Sequence, residues 1–244
     1  MKVLIDSKFR ETGTIDEYKF LLPHPIKKVR EIRLLQSILP NTIYQIDTGY
    51  NSFPFTHSAT TPETKTIILS SGNYTGFDLA DEITTQLNIT MTASDFLVSY
   101  NNQTNKFTTT KLDADTWSYD ATTNKEIREI LGISSTGSGN QTTDWEHTNM
   151  VDLTFPRHIF IDVNTGSTNT NDVMTKADAH SFAVNLNGDP YTIDITSSLA
   201  DYLQVENNNN NDARSISVKL HLPTSSDILP NFNGLHHQLL LELI

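Results

Sequence analysis

The sequence predicts an all-β fold, a β-sandwich carrying one or two short helices, and three observations predict it. Apolar and polar residues alternate at period two along most of the chain, Gly, Asn and Pro turn signals separate the alternating runs, and helical spacing surfaces at two short places. At 244 residues the chain suits one domain over residues 1–244 and can bury a core without covalent staples.

The strands follow in order. Tyr18, Phe20 and Leu22 alternate along the first clear run, and Ile32 and Leu34 along the second. Val98–Tyr100 and Phe107 flank Asn101-Asn102-Gln103-Thr104-Asn105, which reads as a hairpin turn. Ile159, Ile161 and Val163 form the next strand, then Phe182, Val184 and Leu186. Asn187-Gly188-Asp189-Pro190 turns that strand into Tyr191, Ile193 and Ile195. Ile216, Val218, Leu220 and Leu222 give the cleanest alternation. The ending His237-Gln238-Leu239-Leu240-Leu241-Glu242-Leu243-Ile244 reads as a strand buried on both faces, so removing the last six residues is expected to abolish folding.

The first helix is read over Ser70–Asn88. Leu79, Ile83 and Leu87 recur every fourth residue and form one narrow apolar stripe. Asp78 and Asp81 lie near its start, where the helix dipole favours negative charge, and Gly72 is expected to allow a tight turn into it. Burial of the three apolar side chains is worth roughly 1.5–3 kcal/mol each, enough to pin one helix to a β-scaffold. A second helix is read over Asn124–Leu131, with an Asn cap and a stop at Gly132. Ser134–Thr148, Thr165–Asp178 and Asn207–Asn211 carry no period and read as loops.

Composition excludes several function classes. The chain has no cysteine, which removes disulfides, thiolate zinc sites and thiol catalysis and fits a reducing compartment. Sequons such as Asn73-Tyr74-Thr75 are then products of an Asn/Thr-rich composition. Its net charge of -12 opposes direct nucleic-acid binding, and the basic cluster Lys27-Lys28-Val29-Arg30 with Arg33 reads as a solvated strand edge. The opening MKVLIDSKFRETGT turns charged too quickly for a signal peptide or anchor, and no apolar run approaches a membrane span.

Catalytic signatures are missing: there is no serine-nucleophile motif, phosphate-binding glycine loop or paired-histidine zinc motif. No enzyme activity, cofactor or metal is expected. His236 and His237 are neighbours whose side chains point to opposite faces of a strand. Asp113-Ala114-Asp115 with Asp120 lacks the turn glycine and closing glutamate of a calcium loop. Carboxylate pairs for glycoside hydrolysis stay open, because their separation of roughly 5–9 Å is not written in sequence spacing. Trp117, Tyr119 and Trp145 read either as core or as a sugar platform, which keeps a carbohydrate- or receptor-binding β-sandwich as the alternative function.

Several motifs resemble a known family. They are Ile5-Asp6-Ser7-Lys8-Phe9-Arg10, Gly13-Thr14, the run from Val29 through Pro40-Asn41 to Tyr44, and Gly72-Asn73-Tyr74 leading into the helix. Tyr100-Asn101, Lys106-Phe107, Leu131-Gly132-Ile133 and Val151-Asp152-Leu153 follow in order. Over about the first two thirds of the chain this pattern resembles penton proteins, minor capsid proteins of virophages and of polinton-like and adintovirus-type DNA viruses. The resemblance implies a single jelly roll of eight main strands plus extra hairpins. It also implies homopentamers at the fivefold vertices of an icosahedral shell, in contact with the major capsid protein. Synthesis in the host cytoplasm or a viral factory and residence in the virion follow from it. Pro40 and Asn41 would turn the chain out of a strand, and Gly72, Tyr74, Leu79, Ile83 and Leu87 would be structural. Some relatives carry an inserted domain, for which this length is expected to leave little room.

Overall fold

Strand pairing reproduces the period-two pattern. A computed structural model describes residues 1–27, 29, 31–40, 42–58, 61–91, 96–112, 115–120, 122–154, 158–166, 181–185, 202–204, 213–222 and 228–244. The chain forms two compact units, Met1–Ile43 with Pro156–Ile244, and Tyr44–Phe155. The second unit thus occupies an interval inside the first, where the sequence reading expects one domain and little room for an insertion.

The first unit opens with β1 (Lys2–Asp6), a 3-10 turn (Ser7–Phe9), β2 (Thr12–Gly13), β3 (Glu17–Ile26) and β4 (Glu31–Ile38). The second unit contains β5 (Ser52–Ser58), β6 (Pro62–Ile68), α1 (Gly76–Met91), β7 (Phe96–Asn101), β8 (Lys106–Lys111), β9 (Thr116–Tyr119), α2 (Lys125–Leu131) and β10 (Trp145–Glu146). The chain then returns to the first unit with β11 (His158–Gly166), β12 (Ser181–Asn185), β13 (Tyr202–Gln204), β14 (Ala213–His221) and β15 (Gln238–Leu243).

In the first unit one sheet has the order β1-β15-β4-β13 and the other β12-β11-β14-β3-β2, with antiparallel pairing throughout. Setting β2 aside, the eight remaining strands run 1-8-3-6 in one sheet and 2-7-4-5 in the other, which is jelly-roll order. Each sheet buries one face. Val3, Ile5, Ile32, Leu34, Leu239 and Leu241 come from the first, and Tyr18, Ile159, Ile161, Ile216, Val218 and Leu220 from the second. Of these, Ile32, Leu34, Tyr18, Ile159, Ile161, Ile216, Val218 and Leu220 are alternating positions read from the sequence. Tyr191, Ile193, Ile195, Leu186 and the 187–190 turn lie outside the described residues, as do Lys28 and Arg30.

Two strands depart from expectation. β15 is central in its sheet, yet only Leu239, Leu241 and Leu243 are fully buried while Gln238, Leu240 and Glu242 are half-exposed. One face packs inward and the other is only partly covered, so the reading of a strand buried on both faces is corrected. β4 changes phase: its register with β15 shifts so that Leu240 pairs Gln36 and Leu241 pairs Leu34, leaving Leu35 as a bulge. The extra residue lets Ile32 and Leu34 point inward on one side of it, and Ser37 and Leu39 on the other.

In the second unit β10-β8-β7 and β6-β5-β9 form two three-stranded antiparallel sheets. The β7–β8 hairpin pairs Asn101 with Lys106, and Asn105 closes it with φ 53°. Leu79, Ile83 and Leu87 are all fully buried on α1. The helix begins later than the sequence reading, however. Ser70–Thr75 are not helical, and Thr75 opens α1: its hydroxyl accepts from Asp78 N–H at 3.2 Å and donates to Asp78 Oδ2 at 2.7 Å. Gly72 is not at a tight helix start. Its φ is ordinary, and an added Cβ would merely touch the Tyr74 ring at 3.4 Å. The glycine the helix start requires is Gly76, where a Cβ would collide with the Tyr100 ring. For α2 the Asn124 side chain accepts from Glu126 N–H, and Gly132 ends the helix at φ 71°.

Candidate functional site

Within the first unit, the Ile5–Arg10 motif is a clasp. Asp6 accepts from the Lys8 N–H (2.8 Å) and from the Gln238 side-chain amide (2.8 Å). Burial pulls its carboxyl up, but these two hydrogen bonds and the nearby His236 and Lys8 outweigh that and hold it below the ordinary carboxylate value. Ser7, fully buried, donates its N–H to the His237 carbonyl and accepts the His237 N–H on its hydroxyl, both at 3.0 Å. Arg10 donates to the Ser7 and Gly13 carbonyls (2.9 and 3.0 Å), joining the two motif fragments Ile5–Arg10 and Gly13-Thr14. Lys8 and Phe9 project into solvent.

His237 sits at the centre of this clasp. Its Nε2 lies 3.0 Å from the Tyr18 hydroxyl, and its ring packs against Tyr18 and Phe232. His236 is exposed, so the two histidines do point apart, though both precede β15. Burial, countered by Asp6 and reinforced by His236, lowers the His237 imidazole to about 4.

A second polar network fills the core of the other unit. His147 Nδ1 lies 2.7 Å from the Leu131 carbonyl, which only accepts, so Nδ1 carries the proton. Nε2 must then accept from Thr109 (3.1 Å), and Thr109 accepts from the Tyr119 hydroxyl (3.0 Å). Phe107, Tyr119 and Trp145 enclose the ring, with centroids 5.6, 5.1 and 4.6 Å away. Burial lowers His147 to about 4 and raises Tyr119.

The remaining candidate residues are spread over both units. Gln45 and Ile46 receive the Gly72-Asn73-Tyr74 motif: Ile46 and Gly72 exchange backbone bonds, Gln45 N–H donates to Asn73, and Tyr74 N–H donates to Gln45 Oε1. Pro40 follows the end of β4 and is half-buried, while Asn41 lies outside the described residues. Just beyond, Thr42 donates to the Phe232 carbonyl and accepts at its own carbonyl from Asn233. Trp117 and Tyr119 are each 1% exposed and belong to the core, so they present no face to a sugar. The cleft among Thr56, Ser58, Thr116, Ser118 and Asn140 is about 100 Å³, well below the roughly 300 Å³ at which ligand sites begin. Asp115 faces His57 at 3.4 Å and Lys111 at 3.5 Å, and Asp120 accepts from the Thr122 N–H; Asp113 and Ala114 lie outside the described residues. Among the described residues no three His, Asp or Glu side chains are grouped to hold a metal, and no helix is long and apolar enough to cross a membrane.

Sequence reasoning missed His147 and the burial of His237 against Tyr18, because the partner of a buried polar residue leaves no periodic mark. It also missed the Thr75 cap, although Thr75-x-x-Asp78 before an apolar stripe is a readable capping box.

The strand order defines an all-β protein of jelly-roll type bearing an additional α+β unit. The chain belongs to a family of unknown function, DUF5901, whose profile matches residues 1–228. No curated protein matches it. Among solved structures it is similar to the selenomethionine-labelled mavirus penton protein, with 14% identity, 99% of this chain and 94% of that one covered, and a TM-score of 0.39.

Proposed function

We propose that the chain is a structural capsid subunit, a penton that forms homopentamers at the fivefold vertices of an icosahedral shell and contacts the major capsid protein. The observation that carries this reading is the strand order β1-β15-β4-β13 and β12-β11-β14-β3, in the same unit that holds the penton-like Ile5–Arg10 motif. Residues 1–244 act in this reading as one building block. Pro40, Asn41, Gly72, Tyr74 and the Leu79-Ile83-Leu87 stripe shape it without reacting with any ligand, so the protein works through surfaces and not as an enzyme.

Charge distribution agrees with that role. Tyr44–Phe155 carries 14 acidic residues against 5 basic ones, whereas the rest of the chain carries 15 against 12. The jelly-roll unit is therefore the part in which copies meet with little repulsion, and added salt aids assembly by screening the other unit. A ring of five needs two different complementary flanks on each subunit. Light scattering on the purified protein tests the proposal: a particle whose mass is five times 27.4 kDa or a whole multiple of that is expected. A monomer at every ionic strength that also fails to join the major capsid protein overturns it.

A further inference from the structure

β1 is the terminal strand of its sheet. Met1 and Leu243 exchange backbone bonds with each other, and Ser7 N–H bonds the His237 carbonyl, so the odd-numbered residues of β1 point their backbone groups toward β15. In an antiparallel ladder the even-numbered residues then point theirs away. Lys2 and Leu4 accordingly line an open edge, since among the described strands β1 pairs with β15 alone, and at Asp6 this edge runs into the 3-10 turn that Asp6 caps. Leu4 is 59% exposed at its middle.

Two other edges are closed. On β7 the side chains of Thr84 and Asn88 occupy the backbone groups of Val98 and Phe96, and on β9 Gln141 exchanges two backbone bonds with Trp117. An open edge without proline invites another strand, one whose charges complement its own.

The side chains along this edge state which strand fits. Read in order they are a cation, an apolar residue and an anion, and the same series reversed is its own complement. We propose that β1 is a homotypic docking edge, at which two copies of the chain pair antiparallel about Leu4 with Lys2 of each facing Asp6 of the other. Two four-stranded sheets then become one continuous sheet, and Leu4 of one copy covers Leu4 of the next. The contact is isologous and so is distinct from the head-to-tail contacts that close a ring.

The absence of cysteine makes the test direct. Opposite residues in such a ladder lie about 5.5 Å apart at Cα, within disulfide range. Under mild oxidation Leu4→Cys is expected to give a covalent dimer, whereas Lys2→Cys, whose copies would lie about 13 Å apart, is expected not to. Equal cross-linking by both variants, or by neither, overturns the proposal. Light scattering gives a second measure: Leu4→Lys, at an exposed position, is expected to weaken association at least tenfold and halve the particle mass. An odd number of chains in the wild-type particle overturns the β1 contact whatever the variants do. Five chains unchanged by Leu4→Lys would leave the penton reading standing, whereas two chains falling to one would support the β1 contact and overturn the penton reading. Ten chains falling to five would support both.

Discussion

Asn88 pairs with Phe96 as a strand would: its Oδ1 accepts the Phe96 N–H and its Nδ2 donates to the Phe96 carbonyl, both at 2.9 Å. One turn earlier on α1, the Thr84 hydroxyl accepts the Val98 N–H at 2.8 Å. Two helical side chains thus stand in for a missing neighbour of β7. The spacing works because i and i+4 on a helix lie about 6 Å apart, close to the distance between alternate residues on a strand.

Asn88→Ala removes both partners of the Phe96 peptide at once, and an unpaired buried backbone group costs about 1–3 kcal/mol. The variant is expected to unfold at lower denaturant by about that amount and to expose β7 to pairing. Asn88→Leu should cost as much although it favours the helix. Urea unfolding with light scattering on the folded sample measures both effects.

The two buried histidines give the protein an acid sensitivity of definite sign. His147 and His237 are held near 4 in the folded protein against an ordinary 6.5. Between these values the unfolded chain binds more protons than the folded one. Their neutral-state stabilisation is therefore fully present above pH 6.5 and is lost as pH falls toward 4, on the order of 3 kcal/mol for each. Melting temperature measured from pH 7.5 to 4 should fall over that window, and His147→Gln should flatten its share of the slope.

Glycine positions separate what is required from what is incidental. Gly132 has φ 71°, and a Cβ there would collide with the Asn149 carbonyl oxygen. Gly132→Ala is expected to destabilise by about 2 kcal/mol or more, since it adds a backbone clash to the strain of a left-handed turn. Gly72→Ala, with ordinary φ and open van der Waals distance, should lie within about 0.5 kcal/mol of the parent. Thermal unfolding of the pair distinguishes a stop signal from a chance glycine.

How much of this was legible depends on whether a feature repeats. Ile216, Val218 and Leu220 were placed correctly because period two reports a buried face directly, and α2 because Asn124 and Gly132 are local caps. The second unit is not legible in the sequence, since strands of both units share one alternation and nothing in Leu39–Ile46 marks a boundary in composition. Sequence pattern starts α1 too early because Gly72 reads as punctuation, whereas the Thr75–Asp78 cap is where the helix opens. His237 was seen as a strand residue, and its burial against Tyr18, 219 residues away, is a long-range fact that no local pattern carries.

Long-range pairing makes the chain's last strand decisive. β15 pairs with β1 on one side, from Lys2↔Glu242 to Asp6↔Gln238, and with β4 on the other, from Ile32↔Leu243 to Ile38↔Gln238. Removing residues 239–244 would strip the central strand from its sheet, take Leu239, Leu241 and Leu243 out of the core, and leave β1 without its neighbour. Burial of the three leucines alone is worth roughly 1.5–3 kcal/mol each, comparable in sum to the whole stability of many domains. The truncated chain is expected to be insoluble or to lack a cooperative transition. A soluble product with a sharp melt would mean that β1 and β4 can close the sheet without β15, contrary to the register observed.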